Sequence, residues 1–297
     1  HDPLLRDNPP APPSDKPRTR PFDFQVRKYN QFHPATTMFL ERLRRLTDEY
    51  GEIFTLAEVG GDEDNVEMKR FTEGDRRLNS AYGFDFLYCD ALTPEFVAEA
   101  MATWPDTPGS GWPSWAFENH DAPRAVSRWC KAADRDAFAR VKLALLAALR
   151  GNIIIYQGEE LGLEQDDIPF ELLQDPEAIA NWPLTLSRDG ARTPMPWTSD
   201  PSGGFTTGRP WLPLGAANLA RSVARQAGDP GSLLHLARRL LELRRSHPAL
   251  RSGALRNSVA QAGLLSFDRS SGDRLVHCLF NLSGQELPTP PLPDSAR

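Results

Sequence analysis

Cysteine is scarce in this sequence, with three residues among 297. Cys89, Cys130 and Cys278 lie far apart, and no Cys-x-x-Cys pair occurs. An odd, widely spaced set excludes complete pairing within the chain and matches neither a disulfide framework nor a zinc-ligand spacing. We therefore expect reduced, structural thiols and a cytoplasmic location.

Long apolar runs are also lacking. The longest are residues 143–149 and 153–156, far below the roughly 20 apolar residues that a membrane-spanning helix needs. The first residues contain no basic segment followed by an apolar one, so no secretion signal is predicted. The missing initiator methionine indicates an internal start. We expect no membrane partner.

Basic runs are absent too, since lysine and arginine occur singly or in isolated pairs and the formal net charge is −6. Such a molecule repels a phosphate backbone, which argues against a nucleic acid partner. No Gly-x-Ser-x-Gly, phosphate-binding loop or dinucleotide glycine fingerprint occurs, which excludes the corresponding serine hydrolase and nucleotide chemistry. We expect no organic cofactor.

The sequence does contain an alternation of helical and extended patterns. Apolar residues recur at helical spacing in some segments and form short runs bounded by glycine or polar residues in others. The predicted helices are residues 39–50, 66–71, 94–104, 134–150 and 229–245. The predicted strands are residues 53–59, which we expect to be buried on both faces, 83–88, 114–117 and 152–156. The alternation predicts an α/β fold with a parallel sheet covered by helices.

The pattern changes after residue 251. Residues 264–267 and 275–280 are apolar runs separated by Ser-Ser-Gly-Asp, which predicts a β-hairpin. We therefore divide the chain into residues 1–250, the α/β part, and residues 251–297, the start of a β-sandwich domain that is too short to be complete.

Acidic residues close two of the predicted strands. Glu58 ends the first, and Asn-His-Asp at residues 119–121 follows the third. Parallel barrels carry their chemistry at the carboxyl ends of strands, and two carboxylates flanking one bond suit glycoside cleavage. The residues alone are also consistent with structural roles. Glu58 could cap a helix or form an ion pair, and residues 119–121 could form a hydrogen-bonded turn. Glu159 and Glu160 are predicted to be structural, because neighbouring strand residues point to opposite faces.

Four motifs in the same order resemble α-glucosidases and oligo-1,6-glucosidases of the α-amylase family of glycoside hydrolases. They are Thr-Leu-Ala-Glu-Val-Gly at residues 55–60, Glu-Asn-His-Asp-Ala-Pro-Arg at 118–124, Ile-Tyr-Gln-Gly-Glu-Glu-Leu-Gly at 155–162 and Arg-Asp-Gly-Ala-Arg-Thr-Pro-Met-Pro-Trp at 188–197. The opening residues 1–10 resemble the loop after the fourth barrel strand of bacterial members. The resemblance implies the later half of a (β/α)₈ TIM barrel, strands five to eight, followed by a partial antiparallel β domain.

The resemblance also implies catalytic roles. Glu58 is similar to the family's general acid/base on the fifth strand, and Asp121 to its transition-state stabiliser. His120 is similar to a residue that binds a hydroxyl of the glucose in subsite −1. Such a pair acts on short α-linked glucosides with retention of configuration.

Three further residues receive substrate-binding roles from the same resemblance. Arg192 is similar to an arginine that closes the non-reducing end of the pocket, which implies exo-cleavage. Arg124 is expected to line the outer subsites. Phe117 is either part of a sugar-stacking wall or a core aromatic, and the sequence leaves both interpretations open.

One element of the family pattern is missing from this sequence. The resemblance places the nucleophilic aspartate in a Gly-Phe-Arg-x-Asp segment on the fourth strand, and no such segment occurs here. Asp7 does not replace it, since Asp7 lies outside the motif. The loop that binds a structural divalent cation in many relatives also belongs to the part before residue 1, so we predict no metal ligands in this chain. We expect the chain by itself to be inactive.

Two other functions stay open. A glucosyl transferase or isomerase uses the same scaffold with different acceptor loops. The alternative from another class is a non-catalytic barrel that serves as a binding module. The presence of both Glu58 and residues 119–121 argues against it.

Overall fold

The computed structural model describes residues 4–14, 18, 21–61, 63–107, 111–130, 134–185 and 187–290. In these ranges helices and strands alternate from residue 36 to residue 154, and the elements from there to residue 252 are all helical. The first three residues of the opening motif and the last seven of the predicted second domain lie outside the described residues. None of the helices in the described ranges is long and apolar enough to cross a membrane.

The regular elements are as follows. The helices are Thr36–Asp48 (α1), Asp64–Thr72 (α2), Asp85–Tyr88 (α3), Pro94–Ala102 (α4), Ala125–Trp129 (α5), Arg135–Ala148 (α6), Pro176–Asn181 (α7), Ala216–Leu219 (α8), Val223–Ala227 (α9), Leu233–Ser246 (α10) and Pro248–Ser252 (α11). The strands are Leu56–Glu58 (β1), Ser80–Tyr82 (β2), Ser114–Ala116 (β3), Asn152–Ile154 (β4), Ala254–Gln261 (β5), Leu264–Ser271 (β6) and Arg274–Asn281 (β7).

The first four strands form two parallel pairs that lie side by side. β1 pairs with β2, and β3 pairs with β4. Side chains join the two pairs, because the hydroxyls of Ser80 and Ser114 share a hydrogen bond. The amide of Asn152 donates to both hydroxyls, at 3.1 and 3.2 Å. Each of these three residues begins its strand, so the hydrogen bonds hold the amino ends of β2, β3 and β4 together.

The predicted first strand is shorter and more exposed than its apolar sequence indicated. β1 contains three residues, and Phe54 and Leu56 are 67% and 48% exposed. Within the described residues β1 pairs on one side only, with β2. The prediction of a strand buried on both faces is wrong for this structure, because burial depends on a neighbour that local sequence does not specify.

The predicted strand at residues 83–88 is also wrong. The strand ends at Tyr82, and Asp85–Tyr88 forms the short helix α3. Gly83 lies tightly against α2, since a Cβ there would come within 2.8 Å of Met68 Cε. Asn65 on α2 donates to Asp85 at 2.9 Å. These contacts turn the chain out of the sheet direction.

The core lies between the sheet and the helices on its outer face. Leu145, Leu146 and Leu149 of the α6 region are fully buried there, in the same cluster as Phe267 of the C-terminal sheet. The predicted hairpin is confirmed as β6 and β7, and β5 adds a third antiparallel strand that the sequence reading missed. Because the core is continuous, the division at residue 250 stays a prediction.

A buried arginine joins α10 to the end of α6. Arg244 donates to the carbonyls of Ala147 and Leu149 at 2.6 and 2.9 Å, and also to Gly151. These groups include carbonyls left without helical partners at the C-terminus of α6. Burial of Arg244 lowers the pKa of its guanidinium.

Removal of this arginine tests its contribution to stability. We expect Arg244→Met to lower the free energy of unfolding by about 2–3 kcal/mol, since buried carbonyls lose charged donors. The neighbouring Arg245 side chain is 77% exposed, so Arg245→Met should change it by about 0–1 kcal/mol. Urea unfolding of both variants measures the difference. Equal effects would contradict the assignment.

Candidate active site

Glu58 and Tyr82 occupy matching positions at the carboxyl ends of β1 and β2. Glu58 is exposed, whereas Tyr82 is 8% exposed. Burial is the main cause that raises the pKa of Tyr82 to about 12, and the negative charges of Glu58 and Asp121 act in the same direction. Glu58 and Asp121 therefore both lie close enough to Tyr82 for their charges to affect its pKa. The structure brings the two predicted catalytic residues to the same end of the sheet.

A side-chain turn fixes the segment that contains Asp121. The side-chain Oδ1 atom of Asn119 accepts from the backbone N–H groups of Asp121 and Ala122, at 2.9 and 2.8 Å. Asn119 is buried, and its Nδ2 lacks a hydrogen-bond partner among the described residues. A buried amide beside a half-buried acid suits a hydroxyl-bearing ligand.

Two arginines hold Asp121 by the same oxygen. Arg192 donates to Oδ1 of Asp121 at 2.6 Å, and Arg188 donates to it at 3.2 Å. The Nε2 atom of His120 lies 3.6 Å from that oxygen. None of these contacts uses Oδ2. Arg192 also donates to the carbonyl of His120 at 2.7 Å, so it fixes both residues.

A buried carboxylate positions Arg188. Asp175, which is 2% exposed, accepts from Arg188 Nε at 2.8 Å and from Nη2 at 2.7 Å. These hydrogen bonds hold the pKa of Asp175 far below its ordinary value and raise the pKa of Arg188. Arg188 thus bridges Asp175 and Asp121 with its charge retained.

Arg124 does not lie where the sequence reading placed it. The side chain is 2% exposed, and Nη1 donates to the carbonyl of Gln157 at 2.8 Å and to Glu118 at 3.2 Å. Its guanidinium lies 4.5 Å from the centre of the Tyr156 ring. The structure contradicts the prediction that Arg124 lines an outer subsite, because a side chain held in the interior offers no surface to a ligand.

Phe117 is also an interior residue. Its ring is fully buried, 4.7 Å from the ring of Phe86 and 5.5 Å from that of Trp129. Of the two interpretations that the sequence left open, the core aromatic is confirmed and the sugar-stacking wall is wrong.

A fully buried ion cluster lies directly behind residues 119–121. Lys142 of α6 donates to Glu118 at 2.7 Å and to Glu159 at 2.8 Å, and none of the three side chains is more than 1% exposed. Burial raises the pKa of Glu159 to about 7 against the opposing charge of Lys142. For Glu118 the opposing charges of Lys142 and Arg124 exceed the effect of burial, so its pKa is lowered.

The sequence reading missed the residues that complete this arrangement. Tyr82 was overlooked because the second strand was placed one segment too late. Arg188 stood inside a recognised motif without a role, and Asp175 and Lys142 stood in no motif. Asp175 directly precedes the proline that begins α7, a pattern that predicts a helix N-cap. The hydrogen bonds between Asp175 and Arg188 could not be predicted, because they form only in the folded chain.

Metal ligation finds no support in the described ranges, where no three His, Cys, Asp or Glu side chains are placed to share an ion.

Comparison with known proteins gives consistent matches. Residues 6–253 match the family described as "Alpha amylase, catalytic domain". The chain is 42% identical over 292 residues to a probable alpha-glucosidase of Rhizobium meliloti (strain 1021), covering 96% of this chain and 53% of that protein. It is 29% identical over 264 residues to an oligo-1,6-glucosidase of Heyndrickxia coagulans, covering 77% and 47%.

A solved structure matches over nearly the whole chain. The crystal structure of the alpha-glucosyl transfer enzyme XgtA superposes with a TM-score of 0.86 at 39% identity, covering 95% of this chain and 54% of that one. The chain therefore spans about half the length of the relatives that it matches.

Lys142 provides a test of the buried cluster. We expect Lys142→Met to lower the free energy of unfolding by about 3–5 kcal/mol, because two buried carboxyl groups lose their common cation. Adding Glu159→Gln should recover part of this loss, since one uncompensated carboxyl is removed. Urea unfolding of the single and double variants measures both effects, and simple additivity of the two substitutions would contradict the arrangement.

Proposed function

The chain belongs to the α-amylase catalytic-domain family, and on this basis we propose that it forms barrel strands five to eight of a retaining, exo-acting α-glucosidase. The substrates are short α-linked glucosides. The observation that carries the proposal is that Glu58 and Tyr82 lie in register at the carboxyl ends of β1 and β2, while Asp121, just beyond the end of β3, is held by Arg188 and Arg192. Residues 251–297 are then the beginning of the β domain that follows the barrel.

Glu58 is the general acid and base in this proposal. Its exposed carboxyl protonates the glycosidic oxygen as the bond to the leaving sugar breaks. The same group, now a carboxylate, then removes a proton from the water that hydrolyses the covalent glycosyl-enzyme intermediate. Tyr82 lies beside it and keeps its proton at neutral pH, so it acts as a hydrogen-bond donor to Glu58 or to a sugar hydroxyl.

Asp121 stabilises the positive charge that develops on the glucose ring. Arg188 and Arg192 fix its Oδ1 atom, which leaves Oδ2 for the substrate. His120 and the side-chain amide of Asn119 bind hydroxyls of the same ring. Exo-cleavage is proposed because Arg192, which contacts Asp121, resembles the family's arginine that closes the non-reducing end of the pocket.

The nucleophile of the retaining route is proposed to come from outside this sequence, since no Gly-Phe-Arg-x-Asp segment occurs in it. We place no organic cofactor and no metal in the reaction. We assign the protein to the cytoplasm because none of its three cysteines, all within the described residues, forms a disulfide bond.

Glucosyl transfer is a second candidate, favoured by the similarity to the alpha-glucosyl transfer enzyme XgtA at 39% identity. Hydrolysis and transfer share the first chemical step and differ in whether water or a sugar accepts the glucosyl group. Initial-rate product analysis on the longer protein separates them. Transfer products that dominate at low substrate concentration would replace hydrolysis as the function.

The role of Glu58 is tested by Glu58→Gln in the longer protein. We expect hydrolysis of maltose and isomaltose to fall by about 10²–10⁴-fold, because the amide donates no proton to the leaving oxygen. The exposed Glu52→Gln variant is the matched control and should keep its activity. Near-normal hydrolysis by Glu58→Gln, with an unchanged circular dichroism spectrum, would contradict the assignment.

The missing nucleophile is tested with the 297-residue chain itself. We expect no hydrolysis of aryl α-glucosides above background, since no carboxylate in the family's nucleophile motif is present. Turnover that survives purification and disappears in the chain's own Glu58→Gln variant would overturn the expectation, because it would require a nucleophile within residues 1–297.

A further inference from the structure

A groove of about 580 Å³ lies on the long connection between β4 and α10. Its walls come from two separate stretches of that connection, residues 171–174 and 201–214. The lining includes one aromatic, two aliphatic and three polar or charged side chains, which are Trp211, Leu172, Leu214, Glu171, Gln174 and Arg209.

The groove has a fixed floor. Leu173 and Leu212 are 6% and 0% exposed, and they pack in one small core cluster with Ile168 and Ala178. Leu173 directly follows Leu172 in the sequence, and Leu212 directly follows Trp211; both Leu172 and Trp211 line the groove. The two walls are therefore joined through their buried neighbours, so the groove is a preorganised feature.

Three of the side chains that line the groove make no polar contact with other described residues, whereas the Gln174 amide donates to the carbonyl of Leu172 at 3.4 Å. Trp211 is 56% exposed. The side chains of Glu171, Arg209 and Trp211 form no hydrogen bond or ion pair with other residues that the structure describes. An exposed indole face with a free carboxylate and a free guanidinium at its rim matches a sugar ring, which has an apolar C–H face and a border of hydroxyls.

The groove is connected to the candidate active site by direct bonds. Gln174 donates its backbone N–H to Asp189 at 2.6 Å, and the next residue, Asp175, holds Arg188 by two hydrogen bonds. Arg188 in turn contacts Asp121. One continuous set of contacts thus fixes the groove relative to the residue proposed to face the reacting glucose.

From this geometry we propose that the groove is a second carbohydrate site, which binds an α-linked glucose oligomer by stacking a ring on Trp211. The inference rests on the proposed function for the identity of the sugar. Glu171 and Gln174 accept or donate hydrogen bonds to hydroxyls on one side of the ring, and Arg209 donates on the other. The site increases the local concentration of oligomers near Asp121 and takes no part in bond cleavage.

The test is calorimetric titration of the 297-residue chain with maltotriose and isomaltotriose. We expect Trp211→Ala to weaken binding about tenfold and Trp211→Phe to restore part of the affinity. Phe205 is also 56% exposed but does not line the groove, so Phe205→Ala should bind like the unmodified chain. The β-linked trisaccharide cellotriose tests whether the site distinguishes the linkage.

Two results would overturn the proposal: no binding of either α-linked trisaccharide to the unmodified chain, or equal affinity of the unmodified chain and Trp211→Ala. Arg209→Gln adds an independent variant, which should also weaken binding. The outcome is separable from that of the proposed function. Loss of hydrolysis in Glu58→Gln concerns the longer protein's active site, whereas binding to the groove requires no turnover.

Discussion

The buried ammonium group of Lys142 is the constraint on which the geometry of the site depends. It binds Glu118, which directly precedes the Asn119 turn, and Glu159, which belongs to the turn after β4. A fully buried cation with two carboxylates tolerates little displacement, because any separation leaves a charge unpaired in the interior. Helix α6 thereby fixes the ends of two neighbouring strands with one atom.

The second constraint comes from the long connection after β4. This connection carries Arg188 and Arg192, and both guanidinium groups contact Asp121, which lies beyond the end of β3. Asp175 supplies the counter-charge and comes from the same connection. The segment therefore closes one flank of the site through ion pairs and also carries the groove around Trp211. Its irregular backbone is held by the ion pair of Arg188 with Asp175 and by the small core cluster that contains Leu173 and Leu212.

The strand predictions failed where burial and direction depended on neighbours. An apolar run at residues 53–59 was expected to be covered on both faces, yet among the described strands β1 pairs only with β2, and Phe54 and Leu56 are exposed. The apolar run at residues 83–88 has the composition of a strand but turns into α3, because Gly83 fits closely against Met68. The longer helices were predicted well, since their capping residues and apolar spacing act within one element.

The residues proposed for the chemistry divide in the same way. Motif order and strand-end position were sufficient to identify the family and to single out Glu58 and Asp121, because such motifs are local. The sequence also determined the helix and strand alternation, through periodicity. Only the tertiary structure decided that Arg124 and Phe117 are interior residues and that Tyr82 lies beside Glu58 in register. It also decided that Lys142, Asp175 and Arg188 hold the site. Burial and ion pairing between distant segments arise from packing. They cannot be predicted from a local sequence pattern, because such a pattern does not specify which distant segments will be in contact.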